Sequence, residues 1–258
     1  MVNTMPHSFF WYDVMTTDPA AGAAFYADVV GWVPQDSGSP GYTAMTVSGV
    51  GTAGVMAVPE DAAKMGARPA WMGYILVDDV AATCKAITAE GGAVRKGPVT
   101  IENIITFAVV ADPQGGGFLV AKPISDKPVN WPAPGTPGTV GWHELYANDW
   151  EAVWPFYEKL FGWSKSTALD MGPMGKYQIF SAGGPDIGAM MTMPKENPAP
   201  VPYWNYYINV ASVTASAEKI ARRGGTVLMG PHEVPGGQHI LQALDPQGAL
   251  FCLVSPGK

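Results

Sequence analysis

The amino-acid sequence predicts an α+β fold made twice over, each half formed by two units of one strand, one helix and three further strands. Three observations carry that reading. An internal repeat runs through most of the chain, and a proline-rich stretch separates its two copies. With 258 residues, 47% hydrophobic and 14% charged, the chain can build two cores of average size. Its 31 glycines and 24 prolines also favour many short strands joined by turns over a helix bundle.

The repeat is read in three collinear blocks. Trp11, Asp18, Ala21, Phe25, Tyr26, Gly31 and Trp32 return at a constant offset as Trp142, Asp149, Ala152, Phe156, Tyr157, Gly162 and Trp163. At a slightly larger offset, Trp71, Tyr74, Val80, Ile87, Gly91, Gly92, Gly97 and Pro98 return as Trp204, Tyr207, Val213, Ile220, Gly224, Gly225, Gly230 and Pro231. Asp112-Pro113-Gln114-Gly115 returns as Asp245-Pro246-Gln247-Gly248. Small changes of offset are what loop insertions produce. Between the copies, Lys122 to Thr139 holds Pro123, Pro128, Pro132, Pro134 and Pro137 and reads as an extended linker. The expected domains are therefore 1–121 and 140–258, with the linker at 122–139.

Each half follows one plan. Phe10 to Thr16 and Trp142 to Ala147 are first strands, rich in aromatic and branched residues. Asp18, followed by Pro19, is placed to cap a helix, as is Asp149, and Gly31 and Gly162 are placed to end those helices. Turn-rich strands follow around Tyr42 to Val58 and Tyr177 to Met193. Strands at Gly73 to Val77 and Tyr206 to Val210 open the second units. Val80, Cys84 and Ile87 mark the apolar face of the next helix, and Val213, Ala217 and Ile220 that of its copy. Gly-Gly pairs stop both helices, and Asp-Pro-Gln-Gly turns a final hairpin.

Charge narrows the partners. A net charge of −7 argues against nucleic acid and against an anionic membrane surface, because no basic stretch is available to pair phosphates. No apolar run approaches the ~20 residues of a membrane span. Cys84 and Cys252 lack metal-type or redox-type spacing and fit buried thiols in a reducing cytoplasm. Met1 to Ser8 carries no basic region followed by an apolar stretch, so no signal peptide is expected.

The order of these motifs, given twice, resembles the vicinal-oxygen-chelate superfamily of glyoxalases, bleomycin resistance proteins and dioxygenases. The resemblance covers the chain apart from the linker. It implies that paired βαβββ units curl into a mixed, incompletely closed eight-stranded sheet, with helices outside and a cavity inside. Four units in one chain resemble a fused form of what smaller members build as a dimer, so both a monomeric pseudo-dimer and a homodimer are open.

The resemblance also implies where a divalent metal would be held, by His, Glu or Gln at three strand positions. Those positions here are Trp11, Met72 and Leu119 in the first half and Trp142, Asn205 and Cys252 in the second. Indole, thioether and alkyl groups do not ligate hard cations, and asparagine does so weakly. No metal is expected unless the strand register slips by one residue, which would bring in His143 beside Glu144. For His143 the plainer reading is a hydrogen-bonded strand-end histidine.

Strand alternation then gives the residues facing the implied cavity. Trp11 and Asp13 share a face, as do Trp142, Glu144 and Tyr146; Met72 and Tyr74 correspond to Asn205 and Tyr207. With Cys252, the aromatic, apolar and amide members form the candidate ligand-binding set. Asp13 and Glu144, two residues after the shared tryptophan, are the candidate catalytic carboxylates, since a carboxyl against aromatic walls can serve as general acid or base. The plainer reading gives each a structural hydrogen bond, and gives the tryptophans a place in the core. No nucleophile elbow, phosphate-binding glycine loop or dinucleotide fingerprint occurs. Three readings of function stand: a lyase-type or dioxygenase-type enzyme, a metal-independent protein that binds or sequesters a small aromatic or oxygenated molecule, and a metal-free enzyme using Glu144 as base.

Overall fold

The computed structural model describes residues 6–124, 130–197 and 199–257. The first half runs β1 (Phe9–Thr16), α1 (Pro19–Val30), β2 (Val33–Asp36), β3 (Tyr42–Val47), β4 (Val50–Ala57), a short α2 (Glu60–Lys64), β5 (Ala70–Leu76), α3 (Val80–Ala89), β6 (Ala93–Ile101), β7 (Ile105–Ala111) and β8 (Gly117–Pro123). The second half repeats it with β9 (Val140–Ala147), α4 (Trp150–Phe161), β10 (Ser164–Asp170), β11 (Lys176–Ser181), β12 (Asp186–Thr192), β13 (Tyr203–Asn209), α5 (Val213–Arg222), β14 (Thr226–Glu233), β15 (His239–Leu244) and β16 (Leu250–Ser255). The described strands form two eight-stranded sheets, ordered β2-β3-β4-β1-β5-β8-β7-β6 and β10-β11-β12-β9-β13-β16-β15-β14. Parallel pairs (β1 with β4, β5 with β8) sit among antiparallel hairpins, and the second sheet matches. The fold is α+β, four βαβββ modules in two domains of one kind.

Local sequence explains the helix ends. The Asp18 carboxylate accepts from the Ala21 amide, and Asp149 accepts from Glu151 and Ala152, which satisfies donors that a first helical turn leaves open. Gly31 and Gly162 close α1 and α4 in the left-handed conformation, at φ 91° and 65°. On α5 the buried positions are Val213, Ser216 and Ile220. Ser216 thus replaces the expected Ala217, because its hydroxyl has a partner: it donates to the Val29 carbonyl at 3.0 Å. β2 and β10, not foreseen in the sequence, are edge strands with almost every residue exposed. β8 runs to Pro123, two residues into the stretch read as linker.

Contacts group the chain into two compact units that cut across the halves. One comprises Met1–Trp11, Gly73–Val129 and Trp142–Trp204; the other comprises Tyr12–Met72, Asn130–Gly141 and Asn205–Lys258. Each unit therefore draws one module from each half.

The first unit is held by a relay. Trp204 Nε1 donates to the Tyr157 hydroxyl at 3.2 Å, and that hydroxyl donates to Asp112 Oδ2 at 2.8 Å. Asp112 Oδ1 accepts the amides of Gln114 and Gly116, so one buried carboxylate fixes both the β7–β8 turn and the helix above it. Burial pushes the Asp112 carboxyl above its ordinary range, against the pull of the Tyr157 and amide hydrogen bonds. The Phe156 ring approaches Gly92 so closely that a Cβ there would lie 2.9 Å from it. Around the relay, Tyr157 stacks on Trp163, with centroids 5.1 Å apart.

The second unit carries the same relay in its own residues. Trp71 donates to Tyr26 at 2.9 Å, Tyr26 donates to Asp245 at 2.9 Å, and Asp245 accepts from Gln247 and Ala249. Phe25 packs against Gly225, and Arg223 pairs with Asp28 at 2.8 Å. The Trp32 indole donates to the Gly138 carbonyl, which docks the end of the linker on this unit. The recurring Phe-Tyr, Gly-Gly and Asp-Pro-Gln-Gly motifs are thus two ends of the same contacts.

Candidate functional site

Register decides which side chains leave the helix layer. On β9, His143 pairs with Gly188 of β12, which pairs with Phe180 of β11, and Phe180 packs against Trp154 of α4. That face is the helix side. Alternation then sends Trp142, Glu144 and Tyr146 to the opposite face.

His143 belongs to the packed layer. It is buried and stacked on Phe9, with centroids 4.4 Å apart, and its Nδ1 bonds the Ile187 carbonyl at 2.6 Å. Burial pulls its pKa down to about 4 from 6.5, so the ring is neutral near pH 7. The β9 register does not turn it toward Glu144.

On the opposite face the first unit brings together a polar trio. Trp142 Nε1 donates to the Tyr177 hydroxyl at 2.8 Å. Tyr177 in turn makes a side-chain hydrogen bond to Glu144, which is 5% exposed. Burial, reinforced by the Glu144 charge and the nearby Tyr146, raises the Tyr177 hydroxyl far above the usual phenol range, so it stays protonated and donates. Beside the trio, Tyr146 and Tyr203 lie parallel, with centroids 5.3 Å apart and planes 8° apart. Trp11 and Tyr74 also belong to this unit, where Tyr74 touches Phe10 and Phe107.

The second unit holds a counterpart with a different fit. The Tyr42 hydroxyl donates to Asp13 Oδ1 at 2.6 Å, and Asp13 is 4% exposed. Asp13 is the cross-strand partner of Gly54, and the couple lies directly on that glycine. A Cβ on Gly54 would meet the Tyr42 hydroxyl oxygen at 1.9 Å and Asp13 Oδ1 at 2.3 Å. In the copy, Glu144 pairs with Ala189. Gly54→Ala should therefore break the Asp13–Tyr42 bond and cost about 2 kcal/mol, read by chemical denaturation, whereas Ala189→Gly should cost under about 1 kcal/mol.

Tyr42 and Tyr177 were not among the residues expected from the sequence. The signal was present: Gly41-Tyr42 and Gly175-Lys176-Tyr177 are equivalent in the two halves and follow glycine-bearing loops. They fall between the matched blocks, where loop lengths differ.

Of the remaining expected residues, Met72, Asn205, Tyr207 and Cys252 lie in the second unit. Tyr207 and Gln242 flank Cys252 on neighbouring strands, and Gln242 Nε2 donates to the Tyr207 hydroxyl at 2.9 Å. Cys252 is thereby boxed in, fully buried and not disulfide-bonded. The implied metal positions hold Trp11, Met72 and Leu119, and Trp142, Asn205 and Cys252. Among the described residues, no group of three His, Cys, Asp or Glu side chains is placed to hold a metal ion. That donor set does not fit a hard divalent cation.

Comparison with known proteins sets these observations in a family. The family model described as Glyoxalase/Bleomycin resistance protein/Dioxygenase superfamily matches residues 8–120 and 139–253, one match in each half. The chain belongs to that superfamily. It is 30% identical over 253 residues to a Mycobacterium tuberculosis protein named "Putative glyoxylase CFP32", covering 95% of this chain and 94% of that one. It is 28% identical over 269 residues to the anthracycline biosynthesis protein DnrV of Streptomyces peucetius, covering 98% and 95%. In fold it is similar to the Mn(II)-bound glyoxalase from Novosphingobium aromaticivorans, with a TM-score of 0.70 at 17% identity, covering 98% of this chain and 83% of that one. No helix among the described residues is long and apolar enough to cross a membrane.

Proposed function

We propose that this superfamily member binds a small, hydroxylated aromatic molecule without a metal ion, using Glu144 and Tyr177 as its polar anchor. The observation that carries this is the Trp142–Tyr177–Glu144 trio beside the Tyr146–Tyr203 pair. With the phenol proton turned to the carboxylate, the couple offers its remaining acceptor lone pairs to the hydroxyl donors of a ligand, and flanking aromatic rings supply stacking area. The likeness to a protein named for anthracycline biosynthesis favours fused aromatic rings bearing hydroxyl and carbonyl oxygens. The same carboxylate is placed to take a proton from such a ligand, which is how a metal-free reaction would use it.

The test is titration of the full chain with 1,4-dihydroxyanthraquinone, followed by quenching of tryptophan fluorescence. Saturable quenching with a Kd of about 1–100 μM is expected. Quenching that rises linearly to the solubility limit of the dye would contradict the reading.

A further inference from the structure

The two carboxylate–tyrosine couples occupy equivalent places in the repeat but are not built alike. In the first half the carboxylate is the shorter Asp13, held 2.6 Å from the Tyr42 hydroxyl. The strand residue beneath it is glycine, and the couple fills the space where a side chain would start. Tyr42 also forms part of the wall of an open depression with Pro34, Gln35, Asp36 and Pro40, whereas Asp13 does not line it. A carboxylate packed onto backbone on one side and covered by its own phenol partner behaves as a strut between β1 and β3.

In the second half the surroundings of the couple differ. Ala189 stands in place of Gly54 as the cross-strand partner, and the carboxylate is one methylene longer. The tryptophan of β9 donates to the phenol oxygen, which occupies one of its acceptor sites and orients its proton toward Glu144. Tyr146 stands where the first half has Met15, adding a phenol close enough to act on Tyr177 electrostatically. The first copy puts its carboxylate into packing; the second extends it among hydroxyl groups.

We infer that the two couples have divided their work: Glu144–Tyr177 is the ligand anchor, and Asp13–Tyr42 is a closed structural strut, so the chain takes one ligand rather than two. This rests on the proposed binding function for its ligand, but the division itself is judged separately. The matched substitutions are Tyr177→Phe and Tyr42→Phe, each removing one hydroxyl from the full-length chain. Melting temperature and dye titration are read on both variants.

Tyr42→Phe is expected to lower the melting temperature by about 5 °C, because it removes the 2.6 Å hydrogen bond from a carboxylate packed onto Gly54, and Tyr177→Phe by less than half as much. The wild type should bind about one dye per chain. Tyr177→Phe should weaken that binding about tenfold, and Tyr42→Phe should leave it within about twofold. If Tyr42→Phe does not accumulate, Asp13→Asn, which keeps an acceptor for the Tyr42 hydroxyl, replaces it in the melting comparison. Equal melting losses in the two halves would overturn the division. So would two dyes per chain, or equal loss of affinity in both variants. A wild type that binds no dye would refute the proposed function, while the melting temperatures would still decide the strut.

Discussion

Asp112→Ala is expected to lower the free energy of unfolding by about 4 kcal/mol, a fall of about 10 °C in melting temperature. One side chain answers for several groups at once. It accepts from the buried Tyr157 hydroxyl and from the amides of Gln114 and Gly116, and alanine removes the acceptor from two buried donors and one half-buried one. Because burial already raises the Asp112 carboxyl, part of what the charge contributes is offset by the cost of desolvating it. Asp112→Asn keeps an acceptor for the amides and removes that cost, so it should lose less than half as much. Asp245→Ala should behave like Asp112→Ala, since Tyr26, Gln247 and Ala249 donate to it in the same way. Urea denaturation of the three variants checks the order. A loss under about 1 kcal/mol for both alanine variants would show that the relays do not hold their units together.

Acidification is expected to destabilise the fold through His143. Its folded pKa is lowered to about 4, while an unfolded histidine titrates near 6.5. Above pH 6.5 both states are neutral there, and His143 contributes no pH dependence. Between 6.5 and 4 the unfolded chain binds the proton that the folded chain refuses, so stability falls as the pH is lowered. The slope approaches about 1.4 kcal/mol per pH unit, and the total reaches about 3 kcal/mol by pH 4. His143→Gln keeps a donor for the Ile187 carbonyl and removes the titration. The difference between wild-type and variant unfolding free energies, followed from pH 7.5 to 4, should carry that slope. Parallel curves would mean that the imidazole takes up its proton equally in the folded and unfolded chains.

Much of the fold was legible because its signals are local. Asp18 and Asp149 as caps, Gly31 and Gly162 as stops, and Asp-Pro-Gln-Gly as a turn each act within a few residues of themselves. The repeat supplied the rest of the architecture. What could not be read was which local feature meets which. Tyr26 and Asp245 are 219 positions apart, and nothing in either motif names the other as its partner. β2 and β10 escaped notice because edge strands exposed along their length show no apolar alternation. Ala217 and Ser216 were exchanged because polarity argues against burial until the Val29 carbonyl is seen to satisfy the hydroxyl.

The candidate site was half legible. Glu144 and Trp142 follow from the repeat and the strand period, yet Tyr177, which joins them, lies beyond a loop whose length differs between the halves. The contrast between Gly54 and Ala189 carries information only once Asp13 is seen pressed against one of them. A glycine in a strand reads as a weak spot in the sequence; in the fold it is the seat of a hydrogen bond.

The most direct test of the central claim, a binding site that works without a metal, is elemental analysis. The full-length chain is purified without chelators, offered manganese, zinc, nickel and iron(II) in turn, and freed of excess metal before mass spectrometry. The donors present predict less than about 0.1 metal ion per chain in every case. Close to one ion per chain for any of them, lost again in Glu144→Gln, would contradict the account and make Glu144 a ligand.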